Sequence, residues 1–371
     1  MLIILILKVK NKSELKRFIY YVKDLYRGDS HYIYPLFYIL KKELIREVLK
    51  KKEYTAILSL DKNSNIQGRL LYKMEYNIKE KRDVCYFSYF DAIDSKKITK
   101  ELFEYMEKDM IKNHVFYSEG SFTPYDPDNR RGILINGFDS DPIIFTSYNK
   151  DYYQNLLEDY GYYKCRDTFS IKPEMNEQTM KRLNTLGRYF DKKYKIDVDY
   201  IDFKNIESEI RDIHKILQEA DNEHIYQDTP SIDLIGKVAK NLKMFLDKRL
   251  IRIARERETS KPIGFCFCML DYNQVFKLTK GRLNIFKLLF AKKYITKSRG
   301  MMQYVIPKYQ GTGLIGYIYK HIFDEFRNMG ITEFEAGTMM EGNDKPLKSF
   351  DKFGGKIYKT YRIFGRELNY D

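Results

Sequence analysis

Tyr304-Val305-Ile306-Pro307-Lys308-Tyr309-Gln310-Gly311-Thr312-Gly313-Leu314-Ile315 is the stretch that decides how this chain is read. Its β-favouring start stops at a proline, two glycines bracket a threonine, and the apolar spacing from Leu314 to Met329 is that of a long helix. Glycine accepts the backbone angles of a tight turn and lets the main chain approach a ligand closely. Unpaired N–H groups at a helix start, helped by the helix dipole, favour negative charge, so the stretch suits a diphosphate seat. Gly-x-Gly alone also marks a plain strand-to-helix turn, and its surroundings must decide between the two.

Towards the C-terminus, Thr332 to Met339 alternates Phe334, Ala336 and Thr338 as a strand does, and Glu341-Gly342-Asn343 follows. Leu347 to Lys359 then reads as helix, Phe353-Gly354-Gly355 turn, and strand. The first half holds an echo: Asn149, the helical run Tyr152 to Tyr160, Gly161, and a strand to Phe169. The interval from Asn149 to Asn343 nearly equals that from Gly161 to Gly354, about half the chain, which suggests an internal duplication.

The rest agrees with a repeated mixed order. Ser13 is placed to cap a helix through Leu25, and a second helix is expected from Tyr38 to Lys51. Tyr54 to Leu60, Gln67 to Asn77 and Val84 to Ala92 are strand-like; Thr99 to Asn113 has one apolar helical face, and Val115 to Ser118 is strand-like again. Gly120 to Asp141 reads as a loop. In the second half, Ile206 to Gln218 is an amphipathic helix, Leu250 to Glu256 and Pro262 to Leu270 are strands, and Gly281 to Lys293 is a basic, apolar-faced insert. Meandering strands mixed with helices argue for an α+β fold, and 371 residues for two domains.

Composition narrows the class. With 43% hydrophobic and 15% aromatic residues the chain is globular. Its formal charge of +14 suits a polyanionic partner, but no basic run is interleaved with Gly and aromatics as in single-strand binders. Abundant Lys, Ile, Asn and Tyr, with no Trp, instead fit an AT-rich coding bias, so no nucleic-acid partner is expected. Cys85, Cys165, Cys266 and Cys268 lack zinc-site spacing, and five scattered histidines include no i, i+4 pair, so no metal is expected. The opening Leu2 to Leu7 lacks a basic n-region and is too short for an export signal or a span; it reads as a buried first strand. A cytoplasmic protein with no membrane partner is the expectation, and the oligomeric state is left open.

Val305 to Leu314, followed by Glu341-Gly342-Asn343 and Phe353-Gly354-Gly355, resembles the GNAT superfamily of N-acyltransferases, and in particular its duplicated bacterial members. Ile133 to Asp139 and Tyr148 to Tyr153 are similar to stretches of those proteins, so the likeness covers most of the chain. The resemblance implies two tandem GNAT-like domains, each a mixed, mostly antiparallel central sheet flanked by helices. The expected division is residues 1–172, a polar linker over 173–195, and an acyl-CoA-binding domain over 196–371.

It further implies an acyltransferase using acetyl-CoA or another acyl-CoA, with a small-molecule or peptide amine as acceptor attacking the acyl group directly. The cofactor arm would lie along Val305 and Ile306, where an oxyanion donor is also expected, and the phosphates on the amides of Gly311, Thr312, Gly313, Leu314 and Ile315 after Gln310. Lys308 would aid electrostatically, and Asn343 would contact the arm or acyl end. Two positions depart from the family pattern: Ile315 stands where Gly or Ala is usual, and Phe350 where a proton-donating tyrosine is usual. Tyr358 and Tyr361 are candidate replacements for that acid, and Glu335 and Glu341, with Asp271 behind them, for a base acting through water. Ser118 to Pro124 offers no glycine-rich loop, so the first domain is expected to bind no cofactor. Two other readings fit the same residues: a catalytically silent binding protein of this fold, and a transfer-RNA-dependent aminoacyl transferase.

Overall fold

The computed structural model describes residues 5–122, 131–220, 229–282 and 285–368. β1 (Leu5–Lys8) takes the second half of the opening apolar run and pairs antiparallel with β2; Leu2 to Ile4 lie outside the described residues. α1 (Lys12–Tyr20) starts earlier than Ser13, because the Asn11 side chain accepts from the amides of Ser13 and Glu14. α2 (Val22–Leu25) follows a break at Tyr21. α3 (Phe37–Leu44) widens into a π-helical turn over Ile45–Lys51 and stops at Lys52, which is left-handed (φ 59°).

β2 (Thr55–Leu60), β3 (Ile66–Asn77) and β4 (Arg82–Ala92) form an antiparallel meander. α4 (Lys96–Lys112) crosses back to β5 (Tyr117–Gly120), parallel to β4. Part of the expected loop is strand: β6 (Ile133–Asn136) pairs with the last strand, while residues 123–130 lie outside the described residues. α5 (Tyr153–Tyr160), left-handed Gly161 and β7 (Tyr163–Lys172) complete this portion.

The chain continues with α6 (Glu177–Lys193), β8 (Ile196–Tyr200), α7 (Ile206–Glu219) and α8 (Ile232–Leu242). β9 (Ile251–Glu256), β10 (Pro262–Leu270), α9 (Asn273–Thr279) and α10 (Ile285–Ala291) come next. β11 (Lys297–Val305), α11 (Leu314–Met329), β12 (Glu333–Met340), α12 (Asp344–Asp351) and β13 (Lys356–Glu367) close the order.

Two compact units result, and their boundaries differ from those expected. One comprises Met1–Phe169, Asn273–Leu288 and Lys359–Asp371; the other comprises Ser170–Tyr272 and Leu289–Tyr358. The supposed linker over 173–195 is mostly α6, which buries Leu183 and Phe190 and stacks Phe190 on Tyr317 of α11 at 4.8 Å. The last strand also changes hands. From Lys359 onward β13 serves the first unit, pairing Phe364 with Gly120 and Arg366 with Ser118 and burying Phe364 in one core with Phe87 and Tyr162.

In the first unit the strands run β1-β2-β3-β4-β5-β13, with β6 also on β13. One core gathers around α4 and α5, and a second around α1 and α3, so helices cover both faces. In the second unit the order is β12-β11-β10-β9-β8, antiparallel except for β11 with β12. Its core is aromatic: Phe334 of β12 meets Tyr319 and Phe323 of α11 at 5.5 and 5.3 Å. Both units are thus α+β, each a mixed, mostly antiparallel sheet flanked by helices.

Candidate active site

The second unit opens between its only parallel pair of described strands. β11 and β12 are in register from Lys297–Glu333 to Gly300–Ala336, and their pairing ends there. The cause lies on the other edge of β11: its pairing with β10 skips Met301, a bulge that bends the strand just where it parts from β12. Buried Arg299 holds the fork, its Nε donating to the carbonyl of Gly337 (3.0 Å).

Beyond the fork, the Ile306 amide donates to the Ile263 carbonyl of β10 (3.0 Å). By strand alternation Val305 turns its own N–H and C=O to the opposite edge, where the carbonyl accepts from Gln310 Nε2 (3.2 Å). That bond ties the following loop to the strand end.

The loop is a single 3₁₀ turn, Pro307–Tyr309, then Gln310 to Gly313, then α11. Gly311 (φ +72°) and Gly313 (φ +96°) are both left-handed, which explains glycine at each. Among the described residues the amides of Gly311, Gly313, Leu314 and Ile315 have no hydrogen-bond partner. Thr312 turns its hydroxyl back onto the Tyr309 carbonyl (2.7 Å) and leaves the helix mouth uncapped. Around Gly311 a Cβ would meet nothing within 4 Å, so the loop is open at that residue, whereas at Gly313 a Cβ would come to 3.2 Å of Leu186. Gly316 is needed for a different reason: a Cβ there would come to 2.7 Å of Leu186, where α6 packs against α11. Ile315 is half-buried.

Lys308 is not a free cation. It pairs with Glu256 (2.8 Å), which also accepts from Tyr309 (2.7 Å). These donors, Lys308 first, hold the Glu256 carboxyl down to about 2.

The four proposed acid and base residues separate. Glu335 is buried on β12, accepts from Ser170 Oγ (2.5 Å) and from the Tyr358 hydroxyl, and has Arg299 as its register partner. Glu335 and Tyr358 are therefore one hydrogen-bonded pair, completed by a serine that nothing in the sequence marked. Glu341 is exposed in the turn after β12, ahead of left-handed Gly342. Tyr361 is buried in the first unit, in register with Leu134, so β13 hands its two tyrosines to different units. Asn343 precedes α12 without capping it by its side chain. Phe350 is core, packed on Tyr319 (5.6 Å) and Phe334 (6.2 Å), and Asp271 is buried with its amide on the Lys297 carbonyl (2.9 Å).

The first unit has its own parallel pair, β4 with β5, joined through α4. The counterpart of the glycine loop is therefore Ile93-Asp94-Ser95 and not the region around Ser118, of which Thr123 and Pro124 lie outside the described residues. Here the Ser95 side chain accepts from the Ile98 amide (3.5 Å) and so satisfies one of the amides at the helix start. Nearby polarity is internal: buried Arg69 and Asp91 form an ion pair (2.5 Å), and Asp91 also accepts from Tyr26 (2.9 Å) and Tyr153 (3.2 Å).

No family profile matches the chain. A bacterial ceramide synthase of Caulobacter vibrioides is 24% identical over 98% of this chain and 97% of its own length. Protein YghO of Escherichia coli is 23% identical over 96% and 94%. Among solved structures, the GCN5-related glucosamine N-acetyltransferase region of a fungal multi-domain β-N-acetylglucosaminidase superposes on 99% of this chain and 38% of its own, at TM-score 0.61 and 12% identity. A tandem GNAT protein from the clavulanic acid biosynthesis pathway matches over the whole of both chains at TM-score 0.58 and 8% identity. A GCN5-related N-acetyltransferase from Sphaerobacter thermophilus gives TM-score 0.55 and 11% identity over 98% of this chain and 96% of its own. With two units, each holding a parallel pair joined through a helix, this chain has the duplicated GNAT fold.

Proposed function

We propose that the second unit binds an acyl-CoA and catalyses transfer of its acyl group to a primary amine by direct attack. One observation carries the reading: four free amides at the mouth of α11 stand beside a strand edge that β12 has left unpaired. Gly311, Gly313, Leu314 and Ile315 would hold the diphosphate, and the Val305 edge the pantetheine arm as an added strand. An acyl-CoA supplies an activated thioester carbonyl. The Val305 amide would donate to the oxygen of that carbonyl as negative charge develops on it, the Ile306 amide being engaged by the Ile263 carbonyl.

Glu335 is the base we assign, with Tyr358 as the acid beside it: a buried carboxylate that already accepts two O–H bonds can take a proton through the phenol. Asn343 and Glu341 are assigned to the acyl and acceptor ends. Lys308 contributes mainly by ordering the loop through Glu256. The silent-protein reading gained its force from Phe350 and Ile315, but the Phe350 ring is packed in the core, a separate phenol–carboxylate pair supplies protic groups, and Ile315 is half-buried with its amide free. The side-chain cap at Ser95, together with Asp94 beside it, supports cofactor binding by the second unit alone.

Acetyl is the acyl group expected from the resemblance, whereas the Caulobacter relative, a ceramide synthase, points to an acceptor among lipid amines. Calorimetric titration of the full chain with acetyl-CoA and palmitoyl-CoA, followed by thiol-release assays on small amines, peptides and long-chain amino alcohols, separates these. Absence of heat with every CoA ester would defeat the proposal; binding without turnover on the whole amine panel would leave only a binding protein.

A further inference from the structure

We propose that α10 and the turn after it dock the protein on the surface of a bilayer containing anionic lipid. α10 has two unlike faces. Leu288 is 3% exposed, whereas Phe286 and Phe290, one helical turn apart on the other side, are 75% and 70% exposed. The following 3₁₀ turn, Lys292–Tyr294, has no buried residue and leaves Tyr294 71% exposed. Single exposed apolar residues are ordinary on protein surfaces; consecutive turns each presenting a bare aromatic ring are not.

The surrounding charge selects the partner. Seven lysines and arginines fall between Lys277 and Lys297, and no Asp or Glu occurs from Tyr272 to Phe323. Lys277, Lys292 and Lys297 are engaged by Asp141, Asp247 and Glu333. Lys280, Arg282 and Lys293 are exposed, and Lys293 lies over the Tyr294 ring (5.0 Å). A second copy of the chain would bring the same positive run against itself in a two-fold pair. Phospholipid head groups offer the opposite sign, and the acyl boundary beneath them takes aromatic side chains at shallow depth.

A spanning role is excluded by length: α10 has seven residues, and among the described residues no helix is long and apolar enough to cross a membrane. Surface docking departs from the expectation of no membrane partner, in which the net charge of +14 is set down to coding bias; here the positive charge is local and stands beside bare aromatic rings. The docking proposal goes beyond the transfer reaction and stands or falls separately from it.

The test is co-sedimentation of the full chain with vesicles of phosphatidylcholine alone and of equal parts phosphatidylcholine and phosphatidylglycerol. Wild type is expected to pellet with the anionic vesicles, at least about ten-fold more than with neutral ones, and to be released as salt rises. The double variant Phe286→Ser, Phe290→Ser is expected to lower the partition at least about ten-fold at an unchanged melting temperature. Tyr76→Ser, on another exposed tyrosine, of β3 (56% exposed), is expected to leave it unchanged. The proposal is overturned if wild type stays in the supernatant with both vesicle types, if the double variant pellets like wild type, or if that variant only dissociates a dimer in sedimentation velocity.

Discussion

Gly311 and Gly330 stand just outside opposite ends of α11, and they make a matched pair. Both have φ +72°, and at both a Cβ would meet nothing within 4 Å. Alanine at either therefore costs the same left-handed backbone strain, about 1–2 kcal/mol, with no packing difference to confuse the comparison. Their functions in the proposed reaction are unlike. In the proposed seat a methyl group at Gly311 would stand beside that residue's own free amide and hold a diphosphate oxygen at van der Waals contact, about 3.5 Å, instead of hydrogen-bond distance, about 2.9 Å. Each charge-assisted bond lost in this way is worth about 1.5–3 kcal/mol, so losing one predicts roughly 10- to 100-fold weaker binding. Urea unfolding should show Gly311→Ala and Gly330→Ala equally destabilised, while calorimetry with coenzyme A finds the affinity loss in Gly311→Ala only. Equal affinity in the two variants would show that the mouth of α11 does not seat the diphosphate.

Glu335→Gln and Tyr358→Phe are each expected to lower kcat by roughly 10²-fold or more while leaving the coenzyme A Kd unchanged; a parallel loss of affinity would reassign the pair to binding. Phe350→Tyr restores the residue usual in the family but puts a hydroxyl into the Tyr319–Phe334 core, so it should cost about 1–3 kcal/mol in urea unfolding, and a gain in rate would contradict the assignment of Phe350 to the core. Burial, then Lys320 and Arg252, push His321 down to about 4. The folded state thus favours the neutral ring, and stability should be full above about pH 6.5 and fall towards pH 4, by about 2 kcal/mol once its partial exposure is allowed for. His321→Gln should remove that portion of the slope in pH-dependent urea unfolding, and an unchanged slope would reject it.

The features legible in the sequence were those decided locally. Gly311 and Gly313 announce a left-handed turn by themselves, and the apolar spacing of α11 is visible without any partner. What stayed hidden depended on distant contacts. α6 looked like a linker because it is polar and rich in Lys and Arg; its Leu183 and Phe190 matter only against α11. Nothing between Lys356 and Glu367 shows that Tyr358 and Tyr361 belong to different units, since strand pairing sets that division. Glu335 resembles any surface glutamate in sequence, and its hydrogen-bond partners Ser170 and Tyr358 lie 165 and 23 residues away along the chain.

In the proposed function the duplicated scaffold keeps its architecture in both halves while only one copy presents the diphosphate seat. Both run strand, helix, parallel strand, and the difference lies in the few residues before the helix. Ile93-Asp94-Ser95 is too short to project a loop, places a carboxylate at the helix start, and satisfies an amide from Ser95. Gln310 to Gly313 is longer, has no acid, folds its threonine hydroxyl away, and leaves the amides bare. Removing the cap is therefore insufficient to make a second seat. Ser95→Gly would free one N–H but leave Asp94 beside it and β4 still in register with β5 up to Phe87–Gly120. Coenzyme A titration of that variant should give the wild-type stoichiometry with slightly reduced stability, by a few tenths of a kcal/mol. A second bound equivalent would mean that the cap alone separates the two halves, and that the parting of β11 from β12 is not part of the site.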